Sequence, residues 1–251
     1  MDFDFSEDQE QLRDAVRKWV DKGYGFERRR AIVNAGGFDR DVYTELAELG
    51  LAGLYVSEDH GGMGMGPVEA MVVMEELGRG IVLEPLAQTL IASAVLQTHA
   101  PADLQAAWLP RIAGGEAIVV LAHQERGARH HLNRCKAEAK DSGGQWSVSG
   151  TKSIVPVGDQ ADAFIVPALA SGQMALFLVE RSASGVKTEG YVTQDGARAA
   201  EVSFTNSPAQ LITQSGQTAL EQAADIGSAC VCAEGVGVMD KTLAITAEYM
   251  N

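Results

Sequence analysis

The chain has 251 residues, 46% of them hydrophobic and 22% charged, with 20 Lys and Arg against 34 Asp and Glu. A formal charge of −14 excludes the basic surface that nucleic acid or an anionic membrane face requires, so neither is expected as a partner. No apolar run reaches the ~18 residues that a membrane span needs, and the acidic opening Met1-Asp2-Phe3-Asp4 does not read as a signal peptide. Cys135, Cys230 and Cys232 form no C-x-x-C pair, which suits a reducing, cytoplasmic compartment.

Ser6 and Gln9 have the spacing of a capping box, and Leu12, Val16, Trp19 and Val20 follow at helical spacing until Gly23 and Gly25 end the helix. The basic run Arg28-Arg29-Arg30 reads as a solvated face. Asp39 is placed to cap a second helix carrying Val42, Leu46 and Leu49 on one side, closed by Gly50. The glycine-dense stretch from Glu58 to Gly66 precedes Pro67, a residue suited to the first position of a helix. It lacks the G-x-x-x-x-G-K-[ST] pattern of a phosphate loop, so it reads as a turn that needs positive φ or close backbone approach. Val68, Met71, Val72 and Leu77 continue that helix to Gly78 and Gly80. Glu84-Pro85 and Pro101-Ala102-Asp103 open two more, completing an all-α stretch from Ser6 to about Ile112.

From Ala117 the period changes to that of strands. Ile118–Ala122 is a short apolar run that carries the polar loop AHQERGARHH on its end. The segment WSVSGTKSIVPVGDQAD reads as a strand, a turn and another strand, and Ser142-Gly143-Gly144-Gln145 as a turn between strands. Ala163–Ala168, Ala175–Val179 and Ala200–Phe204 are further strands, and Ser171-Gly172-Gln173 separates the first two. Short strands with glycine-rich turns imply a small antiparallel sandwich or barrel. From Gln217 the helical period returns, with Ala219, Ala223, Ile226, Cys230, Ala233 and Val236 on one face. The expected fold class is α+β multidomain: an N-terminal all-α bundle over residues 1–115, a middle antiparallel β-barrel or sandwich over 116–215, and the start of a C-terminal helical bundle over 216–251.

This order of elements resembles the acyl-CoA dehydrogenase family. The stretch from Leu49 to Gly64, LGLAGLYVSEDHGGMG, is similar to the family's LGL-x-GL-x-VPE-x-HGGMG. Met74-Glu75-Glu76-Leu77-Gly78 resembles the family's following helix, and Val148–Lys152 its I-x-G-x-K. The resemblance implies FAD bound at the middle β region. The family's T-E-P-x-x-G-S-D loop falls on Gln124 through His131, where Glu125 keeps the family's letter. The tryptophan and threonine of the W-[IS]-T strand fall on Ile154 and Pro156. On this basis Leu121, Ala122, Gln124, Ala128, Arg129, Ile154 and Pro156 are the candidate cofactor-binding residues, and Arg129 and His130 the candidate substrate-binding residues.

The substitutions have physical content. Pro156 offers neither the hydroxyl nor the backbone N–H of a threonine, and Ile154 gives a flavin ring less area than a tryptophan. Arg126, Arg129, His130 and His131 form a basic loop suited to an anion. The implied activity is FAD-dependent α,β-desaturation of an acyl-CoA thioester, with electrons passed to an electron-transfer flavoprotein by a homo- or hetero-oligomer of this fold. The family's catalytic glutamate would fall past Asn251, so no catalytic residue is assigned. The alternatives are a non-catalytic companion subunit with a degraded flavin site, or an inactive fragment.

Overall fold

A computed structural model describes residues 4–128 and 131–250. The first helix, α1 (Glu7–Gly23), begins with the expected reciprocal cap: Gln9 N donates to Ser6 Oγ at 3.2 Å and Ser6 N donates to Gln9 Oε1 at 2.9 Å. A cap of this kind stabilises a helix by about 1 kcal/mol. A short helix follows that the apolar periodicity does not reveal, α2 (Phe26–Ala35), in which Ile32 alone is buried. The basic run lies on it and is committed to partners rather than only to water. Arg28 grips Glu45 through two nitrogens (2.5 and 3.0 Å), Arg29 donates to the carbonyls of Ile81 and Asp195, and Arg30 pairs with Glu27.

Asp39 caps α3 (Arg40–Glu48) by accepting from Asp41 N at 2.9 Å, and Val42, Tyr43 and Leu46 are buried. Leu49 stays 37% exposed, so it does not join that face. Two single turns of 3-10 helix, Leu51–Gly53 and Glu58–His60, lead through the glycine-dense stretch. Close approach explains Gly62, where a Cβ would overlap the carbonyl of Val56. Pro67 opens α4 (Pro67–Gly80), followed by α5 (Leu86–His99) and α6 (Ala102–Ala113). On α4 the buried side carries Val72, Val73, Met74 and Leu77, while Val68 and Met71 face outward.

Seven strands follow among the described residues: β1 (Val119–Leu121), β2 (Glu138–Asp141), β3 (Trp146–Pro156), β4 (Ala163–Ala170), β5 (Gln173–Glu180), β6 (Val186–Val192) and β7 (Arg198–Thr213). They form one sheet that closes on itself as β4-β2-β3-β7-β5-β4, with β1 added to β4 and β6 to β7. The closed ring makes this a barrel, with Val148, Phe164, Val166, Phe177, Val202 and Phe204 in its interior cluster.

The sheet is mixed rather than antiparallel throughout, because β1 and β2 both pair with β4 in parallel. They share one edge of β4 end to end: β1 lies against Ala163–Ile165 and β2 against Leu169–Ala170. The stretch expected as strand, turn and strand is a single 11-residue strand, β3, followed by a turn at Val157–Gln160. The expected turns at Ser142–Gln145 and Ser171–Gly172 join β2 to β3 and β4 to β5.

The last element, α7 (Gly216–Met250), lies along α4 and α5. Small residues permit the close crossing: a Cβ on Gly78 would strike the Glu234 backbone, and one on Gly237 the Glu75 carbonyl. Ala219, Ala223, Cys230 and Ala233 are buried as their spacing predicts, but Val236 is 45% exposed. No helix among the described residues is long and apolar enough to cross a membrane.

Candidate functional site

Where α5, the end of β1, the end of β3 and α7 meet, they enclose a cavity of about 540 Å³. This lies within the roughly 300–1,000 Å³ of small-molecule sites. Ala87, Gln88 and Ile91 face it from α5, and Leu121, His123 and Gln124 from the strand end and its loop. Ser153, Ile154 and Pro156 come from β3, and Leu220, Ala223, Ala224, Gly227, Ser228, Val231 and Cys232 from α7; Leu132 completes the wall. The small side chains on α7 are what leave room between two helices and a barrel edge.

Four of the expected cofactor-binding residues meet on this wall: Leu121, Gln124, Ile154 and Pro156. The other two described ones lie elsewhere. Ala122 is fully enclosed in the barrel's interior cluster, its N–H donating to Ile165 O at 2.9 Å, because side chains alternate across a strand. Ala128 is buried in the loop beyond, donating to Glu125 O at 3.0 Å. Arg129 and His130 lie outside the described residues.

Ile154 is 50% exposed and holds φ of +52°, unusual for a β-branched residue. Its strained backbone coincides with a break in register between β3 and β7 from Lys152 to Val155. The irregularity turns the end of β3 toward the cavity.

Beneath the loop lies a polar knot. Glu125 Oε1 accepts from Lys152 Nζ at 2.7 Å, from Ala137 N at 3.1 Å and from Cys135 Sγ at 3.4 Å, and Oε2 accepts from Lys136 N at 2.8 Å. Glu125 is 6% exposed and Lys152 fully buried. Burial by itself would raise the carboxyl's pKa. The Lys152 hydrogen bond and charge, with the two backbone donors, outweigh it and hold Glu125 below the usual carboxylate range. The one residue that keeps the family's letter in this loop is therefore a strut rather than a group on the wall. It ties the segment after β1 to the start of β2 and to β3. Burial pushes the Cys135 thiol up, leaving it protonated and able to donate to this knot.

Two wall residues stand out that the motif comparison passed over. His123 has its pKa lowered, first by burial and then by the charge of Lys152, so it presents a neutral imidazole to the cavity. Its place directly after the apolar run of β1 was the available signal. Ser153 is 6% exposed, its N–H donates to Gln124 O at 2.8 Å, and its buried Oγ has no partner among the described residues. The α5 and α7 residues were unreadable as wall, since Ala and Gly at helical spacing serve close packing equally well.

No carboxylate faces the cavity among the described residues, so the wall as described supplies shape, apolar surface and neutral hydrogen-bonding groups but no strong base. The basic loop's Arg126 is 83% exposed at its side chain and pairs with Glu201 at 3.1 Å.

Residues 6–116 match the family model described as "Acyl-CoA dehydrogenase, N-terminal domain". The acyl-CoA dehydrogenase FadE12 of Mycobacterium tuberculosis is 29% identical over 188 residues, 72% of this chain and 48% of that protein. Mitochondrial isovaleryl-CoA dehydrogenase of Pongo abelii is 28% identical over 208 residues, 77% of this chain and 48% of that protein. Among solved structures, a steroid ACAD variant, Tcur3481-Tcur3483, superposes with a TM-score of 0.89 at 29% identity, over 97% of this chain and 66% of that one. A glutaryl-CoA dehydrogenase from Mycobacterium smegmatis in complex with FADH2 shares the fold, with a TM-score of 0.89 at 19% identity over 98% of this chain and 66% of that one. The chain spans about half the length of the curated relatives it matches.

Proposed function

The chain belongs to the acyl-CoA dehydrogenase family, and from that premise we propose that the cavity between α5, β1, β3 and α7 is where FAD and an acyl-CoA thioester meet. The observation that carries this reading is the convergence of Leu121, Gln124, Ile154 and Pro156, drawn from two separated segments, on one apolar cavity of about 540 Å³. Its fit to a flavin ring rests on that volume, on the apolar surface of Leu121, Ile91 and Val231, and on the partnerless Ser153 hydroxyl.

When bound, FAD supplies the hydride acceptor for α,β-desaturation. The chain's own residues do the rest of what this wall can do. Leu121, Ile91 and Leu220, all buried, keep water from their side of the cavity, which strengthens polar contacts there. His123 and Gln124 present neutral polar groups beside the strand end. The proton-abstracting base comes from outside the described wall, which holds no carboxylate. An electron-transfer flavoprotein as acceptor, a homo- or hetero-oligomeric assembly and a cytoplasmic setting complete the reading.

Ile154 and Pro156 favour a second reading. A half-exposed isoleucine and a proline with neither hydroxyl nor N–H stand where the family pattern has a tryptophan and a threonine. This suits a companion subunit whose catalytic partner carries the competent flavin site.

One experiment separates the two. The purified protein is mixed with FAD, freed of excess, and followed by visible absorption as an acyl-CoA is added. A bound flavin that bleaches supports desaturation. A protein that stays colourless, yet co-purifies with a second subunit that alone holds FAD, supports the companion reading. A colourless protein with no such partner overturns both.

A further inference from the structure

Of the two serine hydroxyls on the cavity wall, one is already spoken for. Ser228 Oγ donates to Ala224 O at 2.8 Å within α7. Ser153 Oγ, on β3, is buried and has no hydrogen-bond partner among the described residues. Leaving a buried hydroxyl unpaired costs about 1–3 kcal/mol, and native proteins rarely carry such a group without a reason.

The residue's position supplies one. Ser153 lies in the wall between the large cavity and a smaller recess of about 230 Å³. Its backbone is fixed by the 2.8 Å bond to Gln124 O, and it adjoins Lys152, which the Glu125 knot immobilises. The Cα is thus held, and the hydroxyl it carries is committed to no described protein group. Among the described residues no protein group accepts its proton. The polar wall groups nearest in sequence, His123 and Gln124, sit across that same backbone hydrogen bond.

We infer that Ser153 is a ligand-positioning residue whose hydroxyl donates to a polar acceptor on the edge of a planar heteroaromatic ring held in the cavity. This rests on the reading above, in which that ring is flavin. A fixed backbone carrying an uncommitted hydroxyl is a preorganised donor, and the lost bond is regained only when the ligand is in place.

The test uses the full chain and three proteins: wild type, Ser153→Ala and Ser153→Thr. FAD affinity is measured by quenching of flavin fluorescence, and thermal stability is measured with and without FAD. Ser153→Ala is expected to weaken FAD binding about five- to tenfold, the effect of one net hydrogen bond, while Ser153→Thr stays within about threefold of wild type. Without FAD, Ser153→Ala is expected to melt at or above the wild-type temperature, because it removes an unpaired buried hydroxyl. A purely structural hydroxyl would give the opposite sign. Equal FAD affinity for wild type and Ser153→Ala overturns the inference and leaves the functional reading standing. A lower melting temperature for ligand-free Ser153→Ala also overturns it, since the hydroxyl would then have a partner in the protein. A wild-type protein that binds no FAD overturns the functional reading and this inference with it.

Discussion

Two glutamates are buried to nearly the same depth in this molecule, Glu125 at 6% exposure and Glu84 at 5%, and they are treated in opposite ways. Glu125 accepts from an ammonium, a thiol and two backbone N–H groups, and its pKa falls below the ordinary value. Glu84, just before α5, has no partner of full hydrogen-bonding geometry on either oxygen among the described residues, and burial pushes its pKa up to about 7 against the weaker opposing pull of its own backbone N–H, Tyr24 and the Asp39 backbone. Depth alone therefore decides nothing about a carboxylate; the donors around it do. The partnered one sits where the chain needs a fixed frame, under the loop that leads into the cavity. The unpartnered one sits at the root of a helix whose first turn, Ala87 and Gln88, lines that cavity.

The comparison breaks most visibly at Lys152. Lys152→Met leaves the buried Glu125 without its counter-charge, held only by two backbone N–H groups and a thiol, and a loss of about 3–5 kcal/mol is expected, read as a lower denaturation midpoint. The double variant Lys152→Met with Glu125→Leu should recover part of the loss. No recovery would mean that the pair is not the source of the effect.

Glu84 should respond in the opposite sense. Its folded pKa is raised above the unfolded value, so the folded state favours the proton. Stability is full at pH values below the ordinary carboxylate pKa, falls as pH rises toward about 7, and is level above that. Glu84→Gln removes the charged state and should stabilise the protein at pH 8 by up to about 3 kcal/mol, while matching wild type near pH 4.5. Melting curves across that range test it, and parallel curves for the two proteins would count against an uncompensated carboxylate.

The smallest expected effect is at Cys135, whose thiol is the weakest donor to the Glu125 knot. Cys135→Ala should cost about 1 kcal/mol or less, with the pH profile unchanged. A larger loss would move the centre of the knot from the ammonium to the thiol.

Local features were legible in the sequence. The Ser6–Gln9 capping box, Pro67 at a helix start and the Ser142–Gln145 turn each depend on a few adjacent residues, and each is present in the structure. What required distant partners was not. α2 buries only Ile32, so it has no apolar stripe to detect. β6 is mostly exposed and ordered by pairing with β7, while β7 runs 16 residues without clean alternation because it pairs with β3, β5 and β6 along its length. Parallel attachment of β1 and β2 to β4 joins segments that no hairpin turn announces.

For the site, aligned letters picked out Leu121, Gln124, Ile154 and Pro156 on the wall. The same comparison also picked Ala122, which strand alternation turns into the barrel, and it gave no hint that Glu125 points away from the cavity. Membership of a motif and exposure to a ligand are separate properties, and only three-dimensional packing distinguishes them.

The shared edge of β4 has a consequence for how this loop can change over time. The segment between Leu121 and Glu138 leaves β4 at one end of that edge and returns to it at the other. Ala122 N bonds to Ile165 O and Leu169 N to Ala137 O. Both stems are fixed by the barrel independently of what lies between them. Doubling the length of a flexible segment with fixed ends costs only about 0.6 kcal/mol in closure entropy. Insertions between the Glu125 strut and the knot's Cys135 and Lys136 should therefore cost the barrel little in closure entropy, provided the knot itself is kept. The barrel is free to keep its strand pairing while lineages try different loops at the mouth of the same cavity.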